Sequence, residues 1–265
     1  MNIYLRKLII TTIVAILSFF SWESVVLAES LSERIAQFPN WESKPSLEVA
    51  KGDLIYPDWM QGEWLVSSTL IDLVAPLAPE IVTPGFEGNR QFINQSIEFK
   101  VRFQPIEKYR AVAVSSPLSL VNSQSVIVAD RAFNGLNIGR ATLGSDAILS
   151  VKTDTKNPNR QITQLPENRQ LVSIVTERSS ETPKPNQFVS TEICQQIFNG
   201  EASIYLNEVE TTTFYTRNLD KITGKTNTVD ADQITAIYLS PQDPNYFKAK
   251  GRPVSLYRYQ LQLLP

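Results

Sequence analysis

Ser96-Ile97-Glu98-Phe99-Lys100-Val101-Arg102-Phe103-Gln104 is the stretch that decides the fold. Ile97, Phe99, Val101 and Phe103 alternate without a break with polar or charged residues. A period of two puts one face in a core and the other in water, which marks a half-buried antiparallel strand. Similar runs lie on either side of it: Gln61–Ile71, Ala147–Asp154, Gln170–Arg178, Gln187–Ile197, Ala202–Tyr215, Gln233–Ser240 and Val254–Leu264, with Tyr109–Ser115 as a further one. Turn chemistry separates them, at Asn157-Pro158-Asn159, Thr182–Asn186, Asn199-Gly200 and Asn218–Gly224. No β-α-β alternation is present. The pattern predicts an all-β chain whose antiparallel meander of about eight to nine strands closes into a barrel, since closure removes sticky edges. A two-sheet sandwich is the alternative.

Two stretches interrupt the strands. Val74–Asn94 is a long loop carrying Pro76, Pro79, Pro84, Gly85 and Gly88. Ser125–Gly144 reads as the one helix, with Val126, Ala129, Phe133 and Leu136 on one side and Gly144 as its stop. Gly135 counts against a helix there.

The N-terminus reads as an export signal. Arg6 and Lys7 precede the uncharged run Leu8–Phe20, which is shorter than the roughly 18 residues of a spanning helix. Val26-Leu27-Ala28 then offers small residues for cleavage. Residues 1–28 are therefore expected to be a signal peptide, 29–55 an N-terminal arm and 56–265 the β-barrel domain. An uncleaved anchor, lengthened by Ser21-Trp22, is the alternative. After cleavage nothing is expected to span a membrane. Ser30-Leu31-Ser32-Glu33 opens a short helix in the arm, with Leu31, Ile35 and Phe38 on one side, and the arm is expected along the outside of the domain.

Among 265 residues there is no His and one Cys, and the formal charge is −2. A Ser-His-Asp triad, a Cys-His pair and His-ligated metals are thus excluded. Cys194 has no disulfide partner in the chain and reads as a buried thiol. The near-neutral charge argues against a nucleic-acid surface. No cofactor and no metal site is expected. Glu208 and Glu210 share a strand face, and a solvated face is expected rather than a facing acid–base pair.

Gly62-Glu63-Trp64 opens the first long strand and resembles the Gly-X-Trp opening of lipocalins and the wider calycin barrels. That resemblance implies a calycin-like closed barrel, a Trp64 that plugs one end, and an Arg of the last strand packed over the indole. Arg258 is the matching arginine. The family's Thr-Asp-Tyr signature and cysteine staple are absent. Tyr56-Pro57-Asp58-Trp59-Met60-Gln61-Gly62-Glu63-Trp64, with Ala75–Pro79, Pro84–Arg90 and Ala129–Asn134, also resembles an uncharacterised domain family of cyanobacteria and plastids. This second resemblance implies a thylakoid-lumen or periplasmic location and supplies no catalytic residues.

Trp64, Val66, Phe99, Val101, Phe103, Leu149, Val151, Ile204 and Leu206 are the expected interior residues. Trp64, Arg258, Phe99 and Phe103 are the candidates for a ligand or barrel-end site. Phe86, Glu87 and Arg90 form a candidate lid or partner contact, with Glu87 and Arg90 spaced to pair. A well-packed connection is the competing reading of that loop. Asp130, Arg131 and Asn134 either present a polar patch or brace their own helix. The first functional expectation is a non-catalytic protein holding a small apolar molecule in its barrel. The second is a structural or assembly factor contacting a membrane (photosynthetic) complex through residues 74–90. An enzyme ranks last, because no acid–base constellation is visible.

Overall fold

A computed structural model describes residues 30–111, 121–200 and 204–265. The expected signal peptide lies outside the described residues, as does the end of the expected strand Tyr109–Ser115. The first helix, α1 (Leu31–Ala36), starts at Ser30, whose hydroxyl accepts from the Glu33 amide while the Glu33 carboxylate accepts from the Ser30 amide. This reciprocal cap satisfies donors the helix itself leaves open. There follow β1 (Glu48–Val49), β2 (Gly62–Val74), β3 (Ser96–Ala111), β4 (Val121–Ala129), α2 (Arg131–Leu143), β5 (Ser150–Asp154), β6 (Asn157–Gln164), β7 (Gln170–Glu181), β8 (Gln187–Asn199), β9 (Ile204–Leu219), β10 (Thr226–Leu239), α3 (Tyr246–Ala249) and β11 (Ser255–Leu264).

Every strand pairing is antiparallel, in the order β4-β3-β2-β11-β10-β9-β8-β7-β6-β5, with β1 paired to β7. The first long strand pairs with the last mid-sheet: Val66 lies opposite Leu263 on β11 and opposite Phe99 on β3. The sheet curls strongly. β3 and β8 stand five strand steps apart, about 24 Å on a flat sheet at roughly 4.8 Å per step. Yet Phe103 of β3 and Phe188 of β8 both touch the ring of Tyr56, at 4.7 and 5.5 Å between centroids. The face bearing Trp64, Val66, Val101, Phe103, Phe188, Tyr215, Val229 and Leu263 is therefore the inner one.

The curl stops short of closure, which corrects the expected closed barrel. β4 and β5 form the two ends of an open half-barrel and do not pair. Helix α2 lies at that seam and packs against β3, β5 and β6. The expected helix Ser125–Gly144 is split accordingly. Val126-Ile127-Val128 are consecutive β-branched residues and belong to β4, and Asp130 then starts α2 by accepting from the Phe133 amide. Asn134 takes over the edge of β3 where β4 ends. Its carbonyl accepts from the Arg102 amide at 2.7 Å, and its amide donates to the Arg102 carbonyl at 3.2 Å. An open strand edge is covered by a helix in this way. Gly135 and Gly139 let β6 and β5 approach: a Cβ on Gly135 would lie 2.7 Å from Gln161 Nε2, and one on Gly139 would lie 3.0 Å from the Ile148 side chain.

The arm lies outside the sheet only in its first part. α1, Phe38 and Trp41 pack on the outer face against Ile234, Ala236, Tyr238 and Leu256. The chain then pairs with β7 through Glu48 and Val49, the Tyr56 amide donates to the Ile127 carbonyl, and Tyr56 fills the inner face. The turn segment read at Asn157-Pro158-Asn159 is instead the start of β6. Among the expected interior residues, Leu149 is exposed, and Ile204 and Leu206 alternate to the outer face, opposite Asn199 and Ile197. Among the described residues, no helix is long and apolar enough to cross a membrane.

Candidate functional site

One rim of the half-barrel gathers the starts of β2 and β10 and the ends of β9 and β11. A 3-10 turn, Asp58–Met60, crosses it. Gly62 follows at φ +131°, a conformation open to glycine and strained for other residues, and this redirects the chain into β2. Trp64 is then 4% exposed, packed with Met60, Val101 and Phe103, and its indole N–H donates to the Met60 carbonyl at 2.8 Å. Trp64 thus lies at one end of the inner face, and Phe99 and Phe103 line the same face beside it.

A groove of about 550 Å³ opens at this rim. Its lining combines Trp59 and Trp64 with Asp58, Glu63, Arg217 and Lys225. Lys225 is held by the β9–β10 turn: the Asp220 carboxylate accepts from the Ile222 and Thr223 amides at 3.0 and 2.7 Å, and Gly224 adopts φ +67°. The Thr223 hydrogen bonds keep the Asp220 carboxyl below its ordinary range. Arg217 Nε donates to Thr226 Oγ1 at 2.8 Å, which aims the guanidinium along the strand ends. Glu63 is already spoken for by Lys100 at 2.9 Å and Arg102 at 3.3 Å, and the hydrogen bond from Lys100 is the main reason its carboxyl is lowered. Neither Arg217 nor Lys225 is among the site residues expected from the sequence. A tight turn after an alternating strand was visible, but its adjacency to Trp59 and Gly62 depends on strand order.

Arg258 does not pack over Trp64. It sits on the outer face, on the strand end away from that rim, bonded to Asp232 through Nε at 3.0 Å and through a terminal nitrogen at 2.5 Å, with Phe38 5.5 Å below its guanidinium. Alternation along β11 sends residue 258 outward while Leu261 and Leu263 face in with Trp64. A second groove of about 540 Å³ lies on this outer face, lined by Phe214, Asp230, Asp232, Gln260 and Gln262. Its carboxylates already accept from Arg258, Asn218 and Gln262.

The other candidates fall into structural places. Phe86 is 1% exposed, packed with Leu70, Leu73 and Tyr257, so it is no exposed contact. Residues Leu77 and Ile81 likewise pin the loop to Leu239, Ala249 and Val254. Glu87 and Arg90 pair at 2.7 Å on the surface, as their spacing implied. The set Asp130, Arg131 and Asn134 divides. Asp130 caps α2 and meets Arg102 at 3.4 Å, Asn134 stitches β3, and Arg131 reaches Glu192 on β8 at 2.6 Å. Arg178 joins the same Glu192 oxygen at 2.7 Å and donates to the carbonyl of Gly52 and the side chain of Asn159. This inner knot clamps the arm onto β7. Beside it, burial pushes the Cys194 thiol up to about 11, so Cys194 is an unreactive neutral thiol at neutral pH. Glu208 and Glu210 do not form a solvated face. Glu208 pairs with Lys44, and Glu210 is fully buried against Arg34. Among the described residues no cluster of His, Cys, Asp and Glu is placed to hold a metal.

These features define a class: an antiparallel open half-barrel with a helix in its seam and an aromatic and cationic groove at one rim. The chain belongs to the family described as domain of unknown function DUF6816, whose model matches residues 48–265. No curated protein and no solved structure matches the chain.

Proposed function

We propose that this is a non-catalytic, exported binding protein of the periplasm or thylakoid lumen, and that it holds a small, largely apolar molecule at the Trp59–Trp64 rim. The observation that carries the reading is the groove of about 550 Å³ whose lining includes Trp59 and Trp64, a volume within the roughly 300–1,000 Å³ of small-molecule sites. The inner face offers less, because Tyr56, Phe103, Phe188 and Tyr215 fill it with one another. The segment preceding residue 29 has the charge and length pattern of an export signal, which supports the compartment. The absence of His, and the pairing of each buried carboxylate described above with arginine, support a non-catalytic role.

The test is native mass spectrometry of residues 29–265 purified from their own source. A reproducible extra mass that leaves on denaturation is expected, and Trp59→Ala should lose it. A bare chain mass in both proteins would count against the reading. It would favour an assembly factor, for which Val82 and Phe92, both exposed on the otherwise pinned 74–94 connection, supply the contact surface.

A further inference from the structure

The rim groove carries more than indoles. Arg217 and Lys225 both line it, and among the described residues neither enters an ion pair. Glu63 is neutralised by Lys100 and Arg102, which leaves Asp58 as the one unpaired acidic side chain of the lining. Two cationic side chains without an ion-pair partner therefore stand beside Trp59. Arg217 spends only Nε on Thr226, and its terminal nitrogens form the planar fork that suits a carboxylate. The rigid turn at Asp220–Gly224 fixes Lys225 on the same side.

We propose that the molecule held at this rim is a single-chain amphiphile with a carboxylate head, its carboxylate on Arg217 and Lys225 and its apolar chain against Trp59. The inference rests on the binding role assigned to the groove above and names the chemistry of its ligand. It also explains the placement of two uncommitted cations at the one rim where indoles line a groove, whereas the cations Arg131 and Arg178 inside the half-barrel are consumed by Glu192.

The test is calorimetric titration of residues 29–265 with decanoate, decanol and acetate. Decanoate should bind at least tenfold more tightly than either of the others, since decanol lacks the charge and acetate lacks the chain. Raising salt from 50 to 500 mM should weaken decanoate and leave decanol unchanged. In Arg217→Gln/Lys225→Gln, decanoate should fall to the level of decanol. Lys225→Glu, a change at an exposed turn position, should lower decanoate affinity by itself while the melting temperature stays within two degrees of the parent. Equal binding of decanoate and decanol, or a preference that survives both variants, would overturn the carboxylate assignment and leave the binding role standing. Acetate equal to decanoate would also overturn it, as a plain anion site. Binding of neither decanoate nor decanol would overturn the binding role itself, and the assignment with it.

Discussion

Glu210 shows how far a residue's role can sit from its local sequence. Glu208 and Glu210 alternate on one strand face, and in isolation that pattern means water. In the fold, Arg34, 176 positions earlier, donates to both Glu210 oxygens at 2.5 and 2.7 Å. Tyr238 and Thr212 donate to the same carboxylate. The Arg34 guanidinium also lies 3.9 Å above Trp41, whose indole donates to the Arg34 carbonyl. Both charges are withdrawn from water, so the arrangement is costly to break from one side. Glu210→Ala should lower unfolding free energy by about 3–5 kcal/mol in urea titration, because it strands a buried guanidinium. Arg34→Met/Glu210→Leu should lose less than half of that, since an apolar pair of similar volume removes both charges together. A single-variant loss under 1 kcal/mol would mean the pair is neither buried nor paired in solution. Trp64 was legible by contrast, because Gly62 and the strand it opens lie within three positions of it. Arg258 misled because its partner is chosen by face: one residue of parity moves it from Trp64 to Asp232.

At the scale of elements, alternation was a sound guide where one face is dry and the other wet. Ser96–Gln104 is the first part of β3, and the strands from Gln170 to Leu264 all formed. It failed where the two faces are alike. β6 was hidden by Asn157, Pro158 and Asn159, turn-forming residues that start a strand whose neighbours β5 and β7 supply the pairing. β4 was hidden because an apolar strand that runs straight into a helix shares its apolar spacing with that helix over a few residues. Gly135 argued against α2 on propensity, and the packing supplies the compensation: the small face of α2 admits β5 and β6. The two glycines differ in what they meet. A methyl at Gly139 presses on Ile148, which is buried and anchored, whereas one at Gly135 meets the free end of Gln161. Gly139→Ala should therefore cost about 1–2 kcal/mol, overpacking outweighing the roughly 1 kcal/mol of helix propensity gained. Gly135→Ala should stay within about 0.5 kcal/mol of the parent, with Gln161 swinging aside. Urea titrations at unchanged slope would check both, and a cost at Gly135 equal to that at Gly139 would show that the seam is packed differently.

The whole molecule is a sheet that curls as far as its seam helix allows, with an arm that crosses from the outer to the inner face. One consequence is that phenols and a thiol are buried in several separate layers. Burial raises Tyr56 well above its ordinary value, together with repulsion from Tyr215 and Glu192. It pushes Tyr215 and Tyr259 up to about 12 and Cys194 to about 11. Tyr238 on the outer face is raised in the same direction by burial and then by Glu210. The ordinary values are 10.0 for the phenols and 9.0 for the thiol, and an unfolded chain returns to them. Below about pH 9 all of these groups are protonated in both states, and their contribution to stability is fully present. Above that, the unfolded chain releases protons that the folded chain still holds, so stability must fall as pH rises through 9 and continue falling to about 12. The urea midpoint should thus be level from pH 7 to about 8.5 and then drop steadily, with the phenolate absorbance of these four buried tyrosines appearing only as the protein unfolds. Cys194→Ala should flatten the first part of the drop, between about 9 and 10, and leave the later, tyrosine-driven part intact. A midpoint that stays level to pH 11 would mean that these groups reach water in the folded state. The arm would then not seal the inner face at Tyr56, and the half-barrel would be hollow enough to hold a ligand there instead of at its rim.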